Sequence, residues 1–257
     1  MSPKQIEFSF NGNYSPQNIQ IFRKAQEEDL EKICKFLGAD KDQLKIKFQV
    51  FDTREGKQSA DPNHSISRAS ARFDEMAIYR FWQKQDDPHF PHEITHLVAH
   101  KWGEPYSLDT ELDTWDNQKI KRKIEMLSTS FMQEGLAIAV DDIVFKRKLN
   151  EKGQGKYIDD WCKENIDKTP KLSECINMEG FGKFENKIVV PFSASFSKFL
   201  ILEFALEKYK QMYCQIKEIN TVLENMQIVK NIYGLSEEEL LTLWKQLLFA
   251  STSNGTI

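Results

Sequence analysis

The chain has 257 residues and a formal net charge of −4 at pH 7; 40% of its residues are hydrophobic and 29% charged. That is the composition of a folded globular protein rather than a disordered segment, and its slight acidity offers no basic footprint for nucleic acid. The longest dense apolar patch, Phe199 to Leu206, is interrupted by Glu203 and falls short of the roughly 18 residues a membrane span requires.

The opening MSPKQIEFSF lacks the basic region and apolar stretch of a signal peptide. It implies a cytoplasmic protein if the N-terminus is intact, and an exported one if a leader has been trimmed. Cys34, Cys162, Cys175 and Cys214 form no CxxC pair. They read as buried or half-buried thiols in a reducing compartment, not as a thiolate metal site.

Ile6, Phe8 and Phe10 alternate with polar residues, which predicts a short strand. From Gln17 to Leu37 the apolar residues Ile21, Phe22, Ala25, Leu30, Ile33, Cys34 and Leu37 follow helical spacing, and Gly38 marks a stop. KIKFQVFD, Lys45 to Asp52, reads as a second strand. Thr53 to Ser65 is polar and reads as a loop, and Ser67 to Trp82 as one or two strands. Beyond this the spacing predicts helices over 88–102, 119–148, 191–214, 218–232 and 236–249. The last opens on a capping box, Ser236 with Glu239. The stretches 103–118 and 150–170 read as irregular, the first of them acidic. A strand-rich N-terminal third followed by a helical remainder predicts an α+β fold. The reading is a single domain over 1–257, with a strand-rich lobe over about 1–103 and a helical lobe over about 104–249.

Four of the five histidines, His89, His92, His96 and His100, fall within twelve residues. On a helix over 88–102, with Pro88 in the first turn and Asp86 or Asp87 as the cap, all four share one face within about 80°. Ile94, Leu97 and Val98 lie opposite, facing a core. Only the pair His92 and His96 has a carboxylate directly after its first member: His92-Glu93-Ile94-Thr95-His96 is a His-Glu-x-x-His motif. The spacing has a chemical reason. Residues four apart bring two imidazoles to one Zn²⁺, while the residue after the first histidine turns aside toward a metal-activated water, where its carboxylate serves as general base. His100 lies about two turns, roughly 12 Å of rise, from His92 and reads as a supporting or rim residue. His89 reads as rim or plain surface.

A catalytic zinc takes a third protein ligand. No histidine follows His100, so that ligand is expected to be a carboxylate. Glu134 stands in an almost wholly apolar run, Phe131 to Val140, where burial would make a carboxylate costly without a cation. Gly135 beside it would allow close approach to the histidine helix. A lysine, arginine or helix-terminus partner for Glu134 is the alternative, and Asp109, Glu111, Asp113 and Asp116 are rival ligands. Asp141 and Asp142 follow on the same predicted helix, where Asp141 would orient a metal-bound histidine or sit exposed at the helix end. The five tryptophans read as packing residues, and Lys119 to Lys123 as a solvated helix face.

His92-Glu93-x-x-His96 followed by Gln133-Glu134-Gly135-Leu136-Ala137 resembles the gluzincin zinc metallopeptidases, the thermolysin-like and peptidase-MA-like group. Pro191 to Leu200 is similar to a helix of that group, and Tyr233 to Leu248 to its closing helix. The resemblance implies a zincin-like fold, with a strand-rich N-terminal lobe and a helical C-terminal lobe flanking a zinc cleft, and an edge strand within 69–80 above it. It implies Zn²⁺ held by His92, His96 and Glu134. It also implies zinc-dependent peptide-bond hydrolysis by a metal-activated water, with Glu93 as general base and a peptide or protein as substrate.

The chain departs from the pattern at three points. Glu134 follows His96 at a longer interval than is usual in the group. Phe192 stands where relatives often carry a tyrosine, which leaves Tyr79, Tyr106, Tyr157, His100 and Arg80 as candidate oxyanion donors. The Gly-x-Met-Glu-Asn motif of aminopeptidases is absent. The second departure raises the alternative of a catalytically inactive gluzincin-fold module, a binding or scaffold protein that retains zinc. A metal-free interaction domain is the third reading.

Overall fold

Strand β1 (Ile6–Asn11) runs parallel to β2 (Ile46–Phe51), with Ile6 opposite Ile46 and Asn11 opposite Phe51. The structure, a computed structural model, describes residues 6–64, 67–103, 128–149 and 155–250. Two parallel strands need a long connection, and α1 (Pro16–Leu37) supplies it. The Ser15 side chain caps its first turn, and Gly38, at φ 66°, ends it in the left-handed conformation that glycine adopts without strain. β4 (Ala77–Phe81) adds in parallel to β2, and β3 (Ala69–Arg72) pairs antiparallel with β4 at the edge, giving the order β1-β2-β4-β3. The fold is α+β.

Ile46, Phe48 and Val50 alternate with polar Lys47 and Gln49, so one face of β2 is buried. Phe22 of α1 fills that face, with its ring in edge contact with Phe8, Phe10 and Phe48 and tilted against Trp82. Helix α3 (Pro91–His100) packs on α1 and on β3 and β4.

The expected loop over 53–65 instead contains a helix, α2 (Arg54–Ala60), capped by Thr53. Its buried residue is Lys57, not an apolar one, and for that reason no hydrophobic period announces it. The Lys57 ammonium reaches Asp61 Oδ2 at 3.3 Å and the His64 carbonyl at 2.6 Å. Asp61, fully buried, also meets His64 Nδ1 at 3.1 Å, Arg72 at 3.4 Å and the Ser70 hydroxyl. This charged network ties α2 to the edge strand β3.

The chain divides into two compact units, Met1–Glu104 and Pro105–Ile257. In the second, α4 (Ser130–Phe145) packs along α8 (Asn186–Phe204). Between them stand α5 (Ile158–Glu164), α6 (Leu172–Cys175) and α7 (Met178–Phe181), and after α8 follow α9 (Leu206–Gln215), α10 (Val222–Tyr233) and α11 (Glu237–Ala250). The first three fall in or just beyond a stretch expected to be irregular; each is short, and α5 is set by packing of Ile158, Trp161 and Cys162. The continuous helix expected over 191–214 breaks at Ala205, whose φ of 73° and ψ of 149° are not helical. Among the described residues the helix expected over 119–148 begins at Ser130, and 119–127 lies outside them.

Gly135 explains how closely α4 and α8 meet. A Cβ at this position would stand 2.5 Å from Ser197 Oγ and 2.8 Å from the Ser193 carbonyl, inside van der Waals contact. The close approach that Gly135 permits within its unit is to α8. Phe131, Phe192, Phe196 and Trp244 form the aromatic core here, and Trp244 donates to Ser195. Lys198 is held between Asp142 at 2.5 Å and Asp159 at 2.6 Å. Burial lowers its pKa, but the two carboxylates outweigh that and keep it a cation. Glu218 accepts from the backbone N–H of Ser130 and of Met178, closing the first turns of α4 and α7.

Trp82, Trp161 and Trp244 are buried, as are three of the four free cysteines, with Cys214 half-buried. Burial pushes the Cys34 thiol up to about 11, so it is a packing residue and not a nucleophile. Among the described residues no helix is long and apolar enough to cross a membrane.

Candidate metal centre

Helix α3 starts at Pro91, three residues later than the expected Pro88. Phe90 is its N-cap and lends no side-chain bond. His89 therefore stands outside the helix, and the shared face belongs to His92, His96 and His100 alone. His89 is more than plain surface, since its Nδ1 lies 2.8 Å from a carboxylate oxygen of the fully buried Asp29.

The apolar residues Ile94, Leu97 and Val98 are buried, and so are Thr95 and Ala99. Anchoring this side of α3 leaves His92 and Glu93 half-buried, while His96 is only 7% exposed. His92 Nε2 and His96 Nε2 stand 3.1 Å apart with the rings near perpendicular. Two imidazoles sharing a tetrahedral zinc at roughly 2.0–2.1 Å stand about 3.3 Å apart, so this pair is already spaced for one ion. His100 stacks on Phe73 at 4.7 Å between centroids.

Glu134 sits on α4. Unlike the expected buried carboxylate, it is half-buried, and so are Ile138 and Asp141 at the following turns. Ser130, Gln133, Ile143, Val144 and Phe145 are half-buried too, so α4 is only partly covered. Asp142 is buried and bound to Lys198. Among the described residues His92 and His96 of the first unit are spaced to share one metal ion, and Glu134 belongs to the second unit. The rival ligands Asp109, Glu111, Asp113 and Asp116 lie outside the described residues.

Tyr213 is a residue that the motifs do not single out. Buried on α9, it is close enough to Glu134 for that carboxylate's charge to act on it. Burial pushes its hydroxyl well above the usual range; Tyr209, Cys214 and Glu134 add to the shift, so it stays protonated. A signal is present in the apolar stripe of Tyr209, Met212 and Tyr213, where tyrosines bring hydroxyls into a core position.

The candidate oxyanion donors are placed as follows. The Tyr79 hydroxyl donates to Glu75 at 2.6 Å, with its pKa pushed up to about 12 by burial and by that carboxylate. Arg80 lies over the Phe90 ring and donates to the Asp87 carbonyl. Tyr157 is exposed beneath the Lys148 ammonium, and Tyr106 lies outside the described residues. Phe192 is fully buried against Phe131, Phe196 and Trp244. Phe192→Tyr is expected to bury a hydroxyl among these rings and to cost roughly 1–3 kcal/mol in urea denaturation, without raising any activity.

A groove between β1 and α1, lined by Ile6, Phe8, Arg23, Glu27 and Glu31 among others, contains none of the candidate catalytic or metal-binding residues. Comparison with protein-family models, with curated proteins and with solved structures returned no match.

Proposed function

We propose that the protein is a zinc-dependent peptide hydrolase with a zincin-like fold, in which His92, His96 and Glu134 hold the ion. The observation that carries this reading is the imidazole pair of His92 and His96 on α3, with their nitrogens at 3.1 Å and Glu93 on the same helix. Two imidazoles and one carboxylate are the donor set of a catalytic zinc that keeps an open position. When bound, zinc supplies Lewis acidity toward a carbonyl and makes water acidic near neutral pH.

The chain's own residues supply the rest. Glu93 follows His92 on α3 and is turned off the histidine line by about 100°. Its carboxylate accepts the proton of the attacking water and returns it to the leaving amine of a peptide. The alternative of an inactive, zinc-retaining module draws on the missing tyrosine at 192. With Phe192 in the aromatic core, that position concerns packing, and the ground for it weakens.

Metal analysis tests the reading directly. The purified protein is expected to hold zinc at about one equivalent, and His92→Ala to lose it. A folded wild-type protein that takes up no zinc after dialysis against it sinks the proposal.

A further inference from the structure

Beyond the three ligands, the segment that feeds α3 is held at every residue. Trp82 Nε1 donates to the Asp86 carbonyl at 3.3 Å, and Arg80 Nη2 to the Asp87 carbonyl at 2.7 Å. Gln26 Nε2 donates to the Pro88 carbonyl. Asp29 Oδ1 meets His89 Nδ1 at 2.8 Å, and Asp29 Oδ2 accepts from the Phe90 N–H at 2.8 Å. Five consecutive residues are thus each gripped by a side chain from α1, β4 or the residue just after β4.

Asp29 is the member of this set with the least ordinary setting. It is a carboxylate with no exposed surface, on the buried face of α1 between Phe22 and Ile33. Gln26, one turn earlier, is equally buried. Burying a carboxylate is costly unless it is bonded. A polar pair on this stripe is explained by what it holds rather than by packing. A ten-residue helix is marginal by itself, and α3 has no side-chain cap from its own sequence. Asp29 provides one from another helix: its oxygen takes the Phe90 N–H, and its negative charge stands at the positive end of the α3 dipole. His92 is only the second residue of that helix.

We infer that Asp29 is a positioning residue: through Phe90 and His89 it fixes the first turn of α3, and with it the direction of the His92 imidazole. The inference rests on the metal reading above for its consequence, but the clamp itself is independent of any ion. A carboxylate is acceptor-only, so His89 carries its proton on Nδ1. Partners that orient a metal histidine typically change affinity 10–100-fold when removed.

The test compares wild type, Asp29→Ala, Asp29→Asn and Gln26→Met by two measurements. One is zinc affinity against a competing chelator, and the other is amide hydrogen exchange resolved by segment. Asp29→Ala is expected to weaken zinc about 10–100-fold and to speed exchange over 90–96 while the β-sheet keeps its protection. Asp29→Asn, which retains one acceptor for Phe90, recovers most of the affinity. Unchanged exchange over 90–96 together with zinc affinity within about twofold of wild type overturns the inference, as does protection lost uniformly across α1, the sheet and α3. If Asp29→Ala does not fold, Asp29→Asn and Gln26→Met decide by the same local exchange. If wild type takes up no zinc, the metal reading fails, and exchange over 90–96 alone decides whether Asp29 holds the helix.

Discussion

Replacing Glu93 by Gln is expected to lower peptide hydrolysis by about 10²–10⁴-fold, the range lost with a positioned general base, while zinc content stays at the wild-type level. The two outcomes separate because the two jobs fall on different side chains of one helix. His92 and His96 lie within about 40° of each other around α3, and Glu93 is about 100° from His92. The amide is close in size to the carboxylate and is neutral, so it leaves the half-buried setting of position 93 intact and removes only the proton acceptor. The measurement is kcat and KM on a mixed peptide library, with metal analysed on the same samples. Equal activity in wild type and variant at full zinc occupancy would defeat the assignment of Glu93. If that shared activity is nil, the zinc-retaining binding module becomes the better reading.

The regular elements of the first unit are legible in apolar spacing. β1, β2 and α1 appear within a residue or two of their expected positions, because each buries one face and the period survives in the residue order. Where spacing misleads, the cause is tertiary. α2 is organised around a buried lysine, so it has no apolar period to detect. Proline suits a first turn and points to Pro88 as the start of α3, yet Pro91 takes that position. The residues before it are held by Gln26, Asp29 and Arg80, partners 62, 61 and 7 positions away. Ala205 breaks a helix despite having the best helix propensity of any residue, with a φ no local rule anticipates.

The candidate site divides in the same way. His92, Glu93 and His96 follow from a spacing that chemistry itself imposes. Glu134 can be named from its lone charge in an apolar run, although α4 turns out to be only partly buried. Asp29 and Gln26 have a signature too, since they occupy positions 26 and 29 of a stripe that otherwise reads Phe22, Ala25, Leu30, Ile33 and Leu37. Polar residues on an apolar stripe mark a tertiary contact, but the stripe does not say which segment they hold.

The largest expected effect on stability is at Asp61. Asp61→Asn is predicted to destabilise the protein by about 3–5 kcal/mol near neutral pH, the cost of breaking a buried ion pair by removing one partner. Lys57 is 1% exposed and would keep its charge with no carboxylate against it, while Arg72 would lose one of its three acidic partners. The pH dependence supplies the sign. Burial pushes the Asp61 carboxyl up, but bonds from Ser70 and His64 and the charges of His64 and Lys57 more than offset this, leaving it below the usual carboxylate range. In the acid window below the unfolded value of about 3.9, the unfolded chain therefore binds the proton first, so stability rises with pH there. The contribution is complete above that value and is lost as pH falls through the depressed native one. Urea denaturation of wild type and Asp61→Asn from neutral pH down to pH 3 should show a wide gap that narrows at the acid end. A gap that stayed constant with pH would mean that Asp61 acts through shape and hydrogen bonding, with its charge playing no part.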